Sequence, residues 1–191
     1  MRLHTGSRLW YLLLAALLVI AGMATGGIPA LALSGTVTAS AVPSDGTPVV
    51  GDEITVAVSI DMTGVTEPDN MLGSYTASLT WDTTKLEYVG YSGAPPSGFT
   101  GVVNESDAAT GQIRFNGANA SGATGNLSIL TATFSVLAAG TSTVDLEFSA
   151  MSTILPVTDL LSVLTVNDAQ VAAVDSEPED PIEYVGEIGS V

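Results

Sequence analysis

Hydrophobic and polar residues alternate along most of this chain with a period of two, the pattern of strands that bury one face. The clearest instance runs from Gly73 to Val89, where Tyr75, Ala77, Leu79 and Trp81 share one side and Ser74, Thr76, Ser78 and Thr80 the other. Asp82-Thr83-Thr84 then turns the chain, because an Asp side chain can bond its own backbone, and Leu86 and Tyr88 restart the alternation. A strand, a Trp-Asp corner and a second strand are therefore predicted at the centre of the domain.

The same pattern recurs on both sides. Val37, Ala39 and Ala41 alternate with Thr36, Thr38 and Ser40 until Pro43-Ser44-Asp45-Gly46 breaks the run, and Ile54, Val56, Val58 and Ile60 alternate with Thr55, Ala57, Ser59 and Asp61. Phe99 to Asn104 is a weak strand candidate; Gly111 to Asn116 is a better one, with Ile113 and Phe115 inward and Gln112, Arg114 and Asn116 outward. Leu127 and Ile129 share one parity and Leu130, Ala132, Phe134 and Val136 the other, a switch that a β-bulge near Ile129 reconciles. Val144, Leu146 and Phe148 face inward against Asp145 and Glu147, and closing strands are expected near Leu161 to Val166 and Ala169 to Ala173.

Gly90 to Gly98 reads as a loop and Gly117 to Gly125 as a flexible hairpin connection. Met151 to Asp159, broken by Pro156, reads as a packed loop or one helical turn. Short alternating segments punctuated by Gly, Pro, Asp and Ser predict an all-β antiparallel β-sandwich. Its core is expected to hold Ile54, Val56, Val58, Ile60, Leu79, Trp81, Leu86, Ile113, Phe115, Phe134, Leu146 and Phe148. Most aromatic residues fall at core parity; Tyr91 and Phe99 are the main exceptions, on loops where a glycan would have to stack.

The ends differ in kind. Residues 1–32 carry Arg2, His4 and Arg8, an uncharged apolar run from Leu9 to Met23, and a small-x-small pattern at Ala30-Leu31-Ala32, the three parts of a secretory signal. The run is short for about 30 Å of hydrocarbon, so cleavage after Ala32 and secretion, to the cell surface or beyond, are expected, with no membrane insertion of the mature chain. The domain is expected over residues 33–174. Asp175, Glu177, Glu179, Asp180, Glu183 and Glu187 without a cation predict an acidic disordered tail or linker over residues 175–191.

Charge and composition narrow the function. Twenty Asp and Glu against four Lys and Arg give a formal charge of −16, and loss of Arg2 and Arg8 with the leader would leave Lys85 and Arg114 as the strong cations. Nucleic acid and anionic lipid are excluded as partners, since affinity for both rests on clustered Lys and Arg. The single histidine is His4, in the leader, and there is no cysteine, which removes His-based and thiol-based nucleophiles and the usual zinc sites. A pair of carboxylates of the glycosidase kind stays formally open, but nothing singles out a pair among the acids. A non-catalytic role with no cofactor is expected.

Asp61, Glu67, Asp69 and Asn70 would offer oxygen to calcium, yet their spacing matches no calcium motif. A solvated loop is the expectation there. Asn104, Asn119 and Asn126 begin formal glycosylation sequons, a short pattern that arises by chance in a chain rich in Asn and Ser.

Taken in order, the segments resemble the cohesin domain of bacterial cellulosome scaffoldins. Gly51-Asp52-Glu53-Ile54-Thr55-Val56 resembles that family's entry into its second strand, and Ser78 to Glu87 its aromatic-Asp-Pro-x-x-Leu corner, with Thr83 where proline is usual. Gly111-Gln112-Ile113-Arg114-Phe115, the run Gly125 to Val136, Gly140 to Leu146 and Val166 to Val171 continue the match in order, over roughly Ser34 to Val174. The resemblance implies a nine-stranded jelly roll, related in architecture to carbohydrate-binding modules, that grips a dockerin-type helical module. It places the partner across the sheet of the third, fifth and sixth strands, with contacts at the positions of Ser74 and Thr76 and of Gln112, Arg114 and Asn116; the outward row of the strand adds Ser78 and Thr80 to the expected face. Ser74 and Thr76 stand where the family often has Asn and Asp. The alternatives are a carbohydrate-binding module that meets polysaccharide at Tyr91 and Phe99, and a structural module of a surface protein.

Overall fold

The structure, a computed structural model, describes residues 33–177. The expected leader and the tail beyond residue 177 lie outside the described residues.

The strands are β1 (Val37–Pro43), β2 (Glu53–Asp61), β3 (Leu72–Thr80), β4 (Leu86–Ser92), β5 (Val103–Asn104), β6 (Gln112–Ala123), β7 (Asn126–Val136), β8 (Gly140–Thr153), β9 (Leu164–Asn167) and β10 (Ala169–Ala173), with 3-10 turns at Ala108–Thr110 and Leu161–Val163. They form two five-stranded sheets, ordered β4-β7-β2-β1-β9 and β10-β8-β3-β6-β5. Pairing is antiparallel except that β1 runs parallel to β9. The count is ten rather than nine, and the chain changes sheet at Asp168. The Oδ1 of that residue accepts the Leu146 N–H at 2.9 Å, so β9 closes one sheet and β10 the other.

The alternation in the sequence is the alternation in space. In β2 Ile54, Val56, Val58 and Ile60 are buried, and every other residue of the expected core is buried too. Around Ile129 the register shifts: Val58 pairs with Leu130 but Ser59 with Ser128. This is the bulge expected there. It lets Ile129 and Leu130 both reach the core, which a regular strand forbids for neighbours.

Other expectations are corrected. β6 runs on to Ala123, through the tract read as a flexible connection. Its pairing with β3 jumps from Ala118 opposite Ser74 to Ala123 opposite Leu72, and the residues between make a tied excursion. There the Asn119 side-chain Oδ1 accepts the Ser121 N–H at 2.9 Å, and its Nδ2 donates to the Gly122 backbone carbonyl at 3.2 Å. β8 extends to Thr153, and the strand expected from Leu161 starts only at Leu164, after the 3-10 turn. Of the weak candidate Phe99 to Asn104, Val103 and Asn104 form a strand and Thr100 makes an isolated bridge to Ala118. Phe99, expected on an exposed loop, is 8% exposed. Its ring lies 5.8 Å from that of Tyr75, which covers the end of the sandwich.

The corner after β3 joins the sheets. Trp81 leaves the end of β3 and stacks on Tyr88 of β4 at 5.5 Å, while its edge-on contact with Phe134 of β7 is at 5.1 Å. Asp82 Oδ1 accepts the Thr84 hydroxyl at 2.7 Å and the Thr84 N–H at 2.8 Å. These two bonds hold its carboxyl below the ordinary carboxylate range. At Gly117, a Cβ would lie 2.6 Å from the Tyr75 ring, so β6 crosses over that ring only with glycine there.

Two outcomes follow from this packing. Trp81→Ala should lower the unfolding free energy measured in urea by about 3 to 5 kcal/mol, the range for emptying a large aromatic site; a loss under about 1 kcal/mol would place the indole outside the core. Burial also pushes the Tyr75 hydroxyl up to about 12, and it raises Tyr88, whose O–H donates to Glu105 at 3.0 Å. The unfolded chain releases these protons nearer 10, so the folded state binds more protons in between. Stability should be full below about pH 10 and fall as pH rises towards 12. Thermal melts of Tyr75→Phe should show a shallower fall.

Candidate functional site

The outer side of the second sheet collects the polar half of four alternating strands. Register fixes the neighbours: Thr80 lies between Gln112 of β6 and Asp145 of β8, and Ser78 between Arg114 and Glu147. Next along the sheet, Thr76 lies between Asn116 and Ala150, and Ser74 between Ala118 and Ser152. All seven residues expected to share this face are brought together on it. Their β3 members are small hydroxyls, and the Ser74 and Ser152 hydroxyls bond each other at 2.9 Å. Towards the β10 edge Gln170 and Thr143 exchange side-chain bonds at 2.9 and 3.1 Å. The result is a polar surface without large protrusions over its middle.

Its electrostatics are set by three acids and one base. Arg114 donates to Asp107 Oδ2 at 2.7 Å. Asp107 sits in the turn that leads into β6, on the β5 side, and takes the guanidinium away from β8. This is the one ion pair among the described residues, so Asp145 and Glu147 remain uncompensated and the β8 half of the face is negative. Lys85 is turned elsewhere, donating to the Ala139 carbonyl. Asp145 and Glu147 join this face beside the expected residues. Their outward parity was the available signal, but their place beside Thr80 and Ser78 depends on the β3–β8 pairing.

Other candidates fare differently. Tyr91 is 38% exposed at the β4 edge while Phe99 is buried, so the two do not form a joint aromatic platform. A 430 Å³ depression beside β4, lined by Trp81, Leu86, Tyr88, Ala108 and Leu137 among others, includes neither. In the acidic loop, Asp61 Oδ1 accepts the Thr63 N–H at 2.8 Å and Asp69 accepts the Thr158 hydroxyl at 2.9 Å. Among the described residues no three His, Cys, Asp or Glu side chains are grouped to hold a metal ion.

No protein-family model and no curated protein matches the chain. Solved structures do. A non-cellulosomal cohesin from Archaeoglobus fulgidus aligns at TM-score 0.55 and 17% identity, over 73% of this chain and 91% of its own. The seventh ScaB type I cohesin of Pseudobacteroides cellulosolvens aligns at 0.55 and 18%, over 76% and 97%. The OlpC cohesin of Clostridium thermocellum, solved in complex with the dockerin Doc435, aligns at 0.56 and 12%, over 75% and 97%.

The fold is that of a cohesin domain.

On this cohesin fold the arginine of the candidate face is held by an exposed pair, with side chains 56% and 45% accessible. Such pairs contribute about 0 to 1 kcal/mol. Arg114→Ala should therefore lower the unfolding free energy measured in urea by no more than that margin, which makes it a clean variant for binding measurements.

Proposed function

We propose that this chain is a secreted or surface-displayed, non-catalytic binding module that holds a dockerin-type helical partner across the outer face of β8, β3 and β6, within an extracellular polysaccharide-related assembly. The observation that carries the reading is the face itself: Ser74, Thr76 and Ser78 form a smooth row flanked by Asn116, Arg114 and Glu147. A helix can lie along such a row without meeting a bulky side chain. The cohesin fold supports the reading, and a similar fold in the OlpC cohesin was solved with a dockerin bound. Carbohydrate binding is the weaker alternative, because burial of Phe99 leaves Tyr91 alone of the two proposed stacking residues open to a sugar ring.

The test is calorimetric titration of the full chain with two dockerins, Doc435 and the Doc918 solved in complex with the OlpA cohesin of Clostridium thermocellum. Saturable binding is expected. Thr76→Arg, which raises a long charged side chain from the middle of the row, should abolish it, and Arg114→Ala should weaken it by about 2 kcal/mol or more, as for an interface anchor. Unchanged affinity in both variants would move the binding site off this sheet, to the loop from Gly90 to Gly98.

A further inference from the structure

The binding face is not uniform along its length. At the Ser74 end, the segment between β8 and the Leu161–Val163 turn raises Leu155 and Val157 into solvent, 81% and 73% exposed, the two most exposed large hydrophobic residues described. The segment is not slack. Thr153 Oγ1 donates to the Pro156 carbonyl at 2.6 Å and accepts the Thr158 N–H at 2.8 Å. Farther along, the Thr158 hydroxyl donates to Asp69 at 2.9 Å, and the Leu160 N–H bonds the Met151 carbonyl at 3.0 Å. Holding two large apolar side chains in water on a hydrogen-bonded scaffold stabilises nothing within the domain. It does remove most of the ordering cost for a partner that covers them.

Two depressions flank this ridge, of 300 Å³ on the Leu155 side and 380 Å³ on the Val157 side, and Ser74 and Ser152 line both. The ridge is thus continuous with the face. At the opposite end lie Asp145 and Glu147, beside Thr80 and Ser78, with no cation paired to them among the described residues. From Ser74 to Thr80 an extended strand covers about 20 Å, the length of about 13 residues of α-helix.

We infer that the partner of this face is an amphipathic helix with one apolar end and one cationic end, seated in a single orientation by Leu155 and Val157 at one end of β3 and by Asp145 and Glu147 at the other. The inference rests on the binding-face reading above and adds the chemistry and the direction of the occupant. Charge selects it: a chain of net charge −16 repels an acidic partner, and the unpaired carboxylates on β8 favour Lys or Arg. The apolar ridge then distinguishes the two ends of the helix.

The probe is a helical peptide of about 14 residues, with leucines in its first half and lysines in its second, titrated into the full chain by calorimetry and by methyl NMR. Saturable binding is expected, with shifts at the Leu155 and Val157 methyls. Leu155→Ser with Val157→Ser should weaken it about tenfold or more, and Asp145→Asn with Glu147→Gln should weaken it and flatten its salt dependence. A nitroxide at the leucine end should broaden the signals of Leu155 and Val157 and spare those near Thr80. Absence of saturable binding, equal affinity in the Leu155→Ser and Val157→Ser variant, or equal broadening at both ends would overturn the inference. If Doc918 or Doc435 binds and is blocked by Thr76→Arg but is indifferent to Leu155 and Val157, this inference falls and the dockerin reading stands. If the peptide behaves as described while both dockerins fail to bind, the partner class falls and the face stands.

Discussion

The whole arrangement depends on a contact between the sheets at Trp81. The side chain leaves the last turn of β3 and enters an aromatic group supplied by the other sheet, Tyr88 of β4 and Phe134 of β7. Because side chains alternate strictly along a strand, fixing one inward residue fixes the direction of every other. With Trp81 inside, Leu79, Ala77 and Tyr75 are inside, and Thr80, Ser78, Thr76 and Ser74 must face out. The smooth outer row and the aromatic wedge are two sides of one register. A slip of one residue would bury four hydroxyls and expose an indole, a phenol and a leucine.

The same coupling explains what was legible in the sequence. Core membership was readable wherever large apolar residues marked the parity, as in Ile54 to Ile60, and even the irregularity at Ile129 announced itself as a change of phase. Legibility failed where such markers were missing. From Gly117 to Gly122 there is no large apolar side chain, so nothing local says that β6 continues. What continues the strand there is pairing with β3, where Tyr75, far away in sequence, lies opposite Gly117 with its ring against it. Phe99 sits in a stretch of Gly, Pro and Ser that reads as exposed, yet it is buried with its ring 5.8 Å from that of Tyr75. The candidate face was half legible in the same sense. Its polar members could be assigned to an outward side strand by strand, whereas the pairing of β3 with β8, which sets Asp145 and Glu147 beside them, is a property of the assembled sheet.

Acidity and flatness act together on this surface. Arg114 is engaged by Asp107 and Lys85 by a backbone carbonyl. The carboxylates on β8 are therefore left to water and to partners. Small hydroxyls beside them keep the face hydrated but easily cleared, since a serine or threonine side chain loses little rotamer freedom when covered.

The parallel pairing of β1 with β9 sets an order of events during synthesis. Val37 is opposite Leu164 and Ser40 opposite Asn167, whose amide donates to the Ser40 hydroxyl across 127 residues of chain. The first strand to be made therefore waits for one of the last before its outer edge is closed. Until then β1 presents an unpaired edge in which Val37, Ala39 and Ala41 alternate with Thr38 and Ser40, the kind of edge that templates pairing with other chains. Contacts of such long sequence separation also slow folding. A ribosome that stalled short of residue 164 would release a chain with most of its core sequence and no means of closing the sheet.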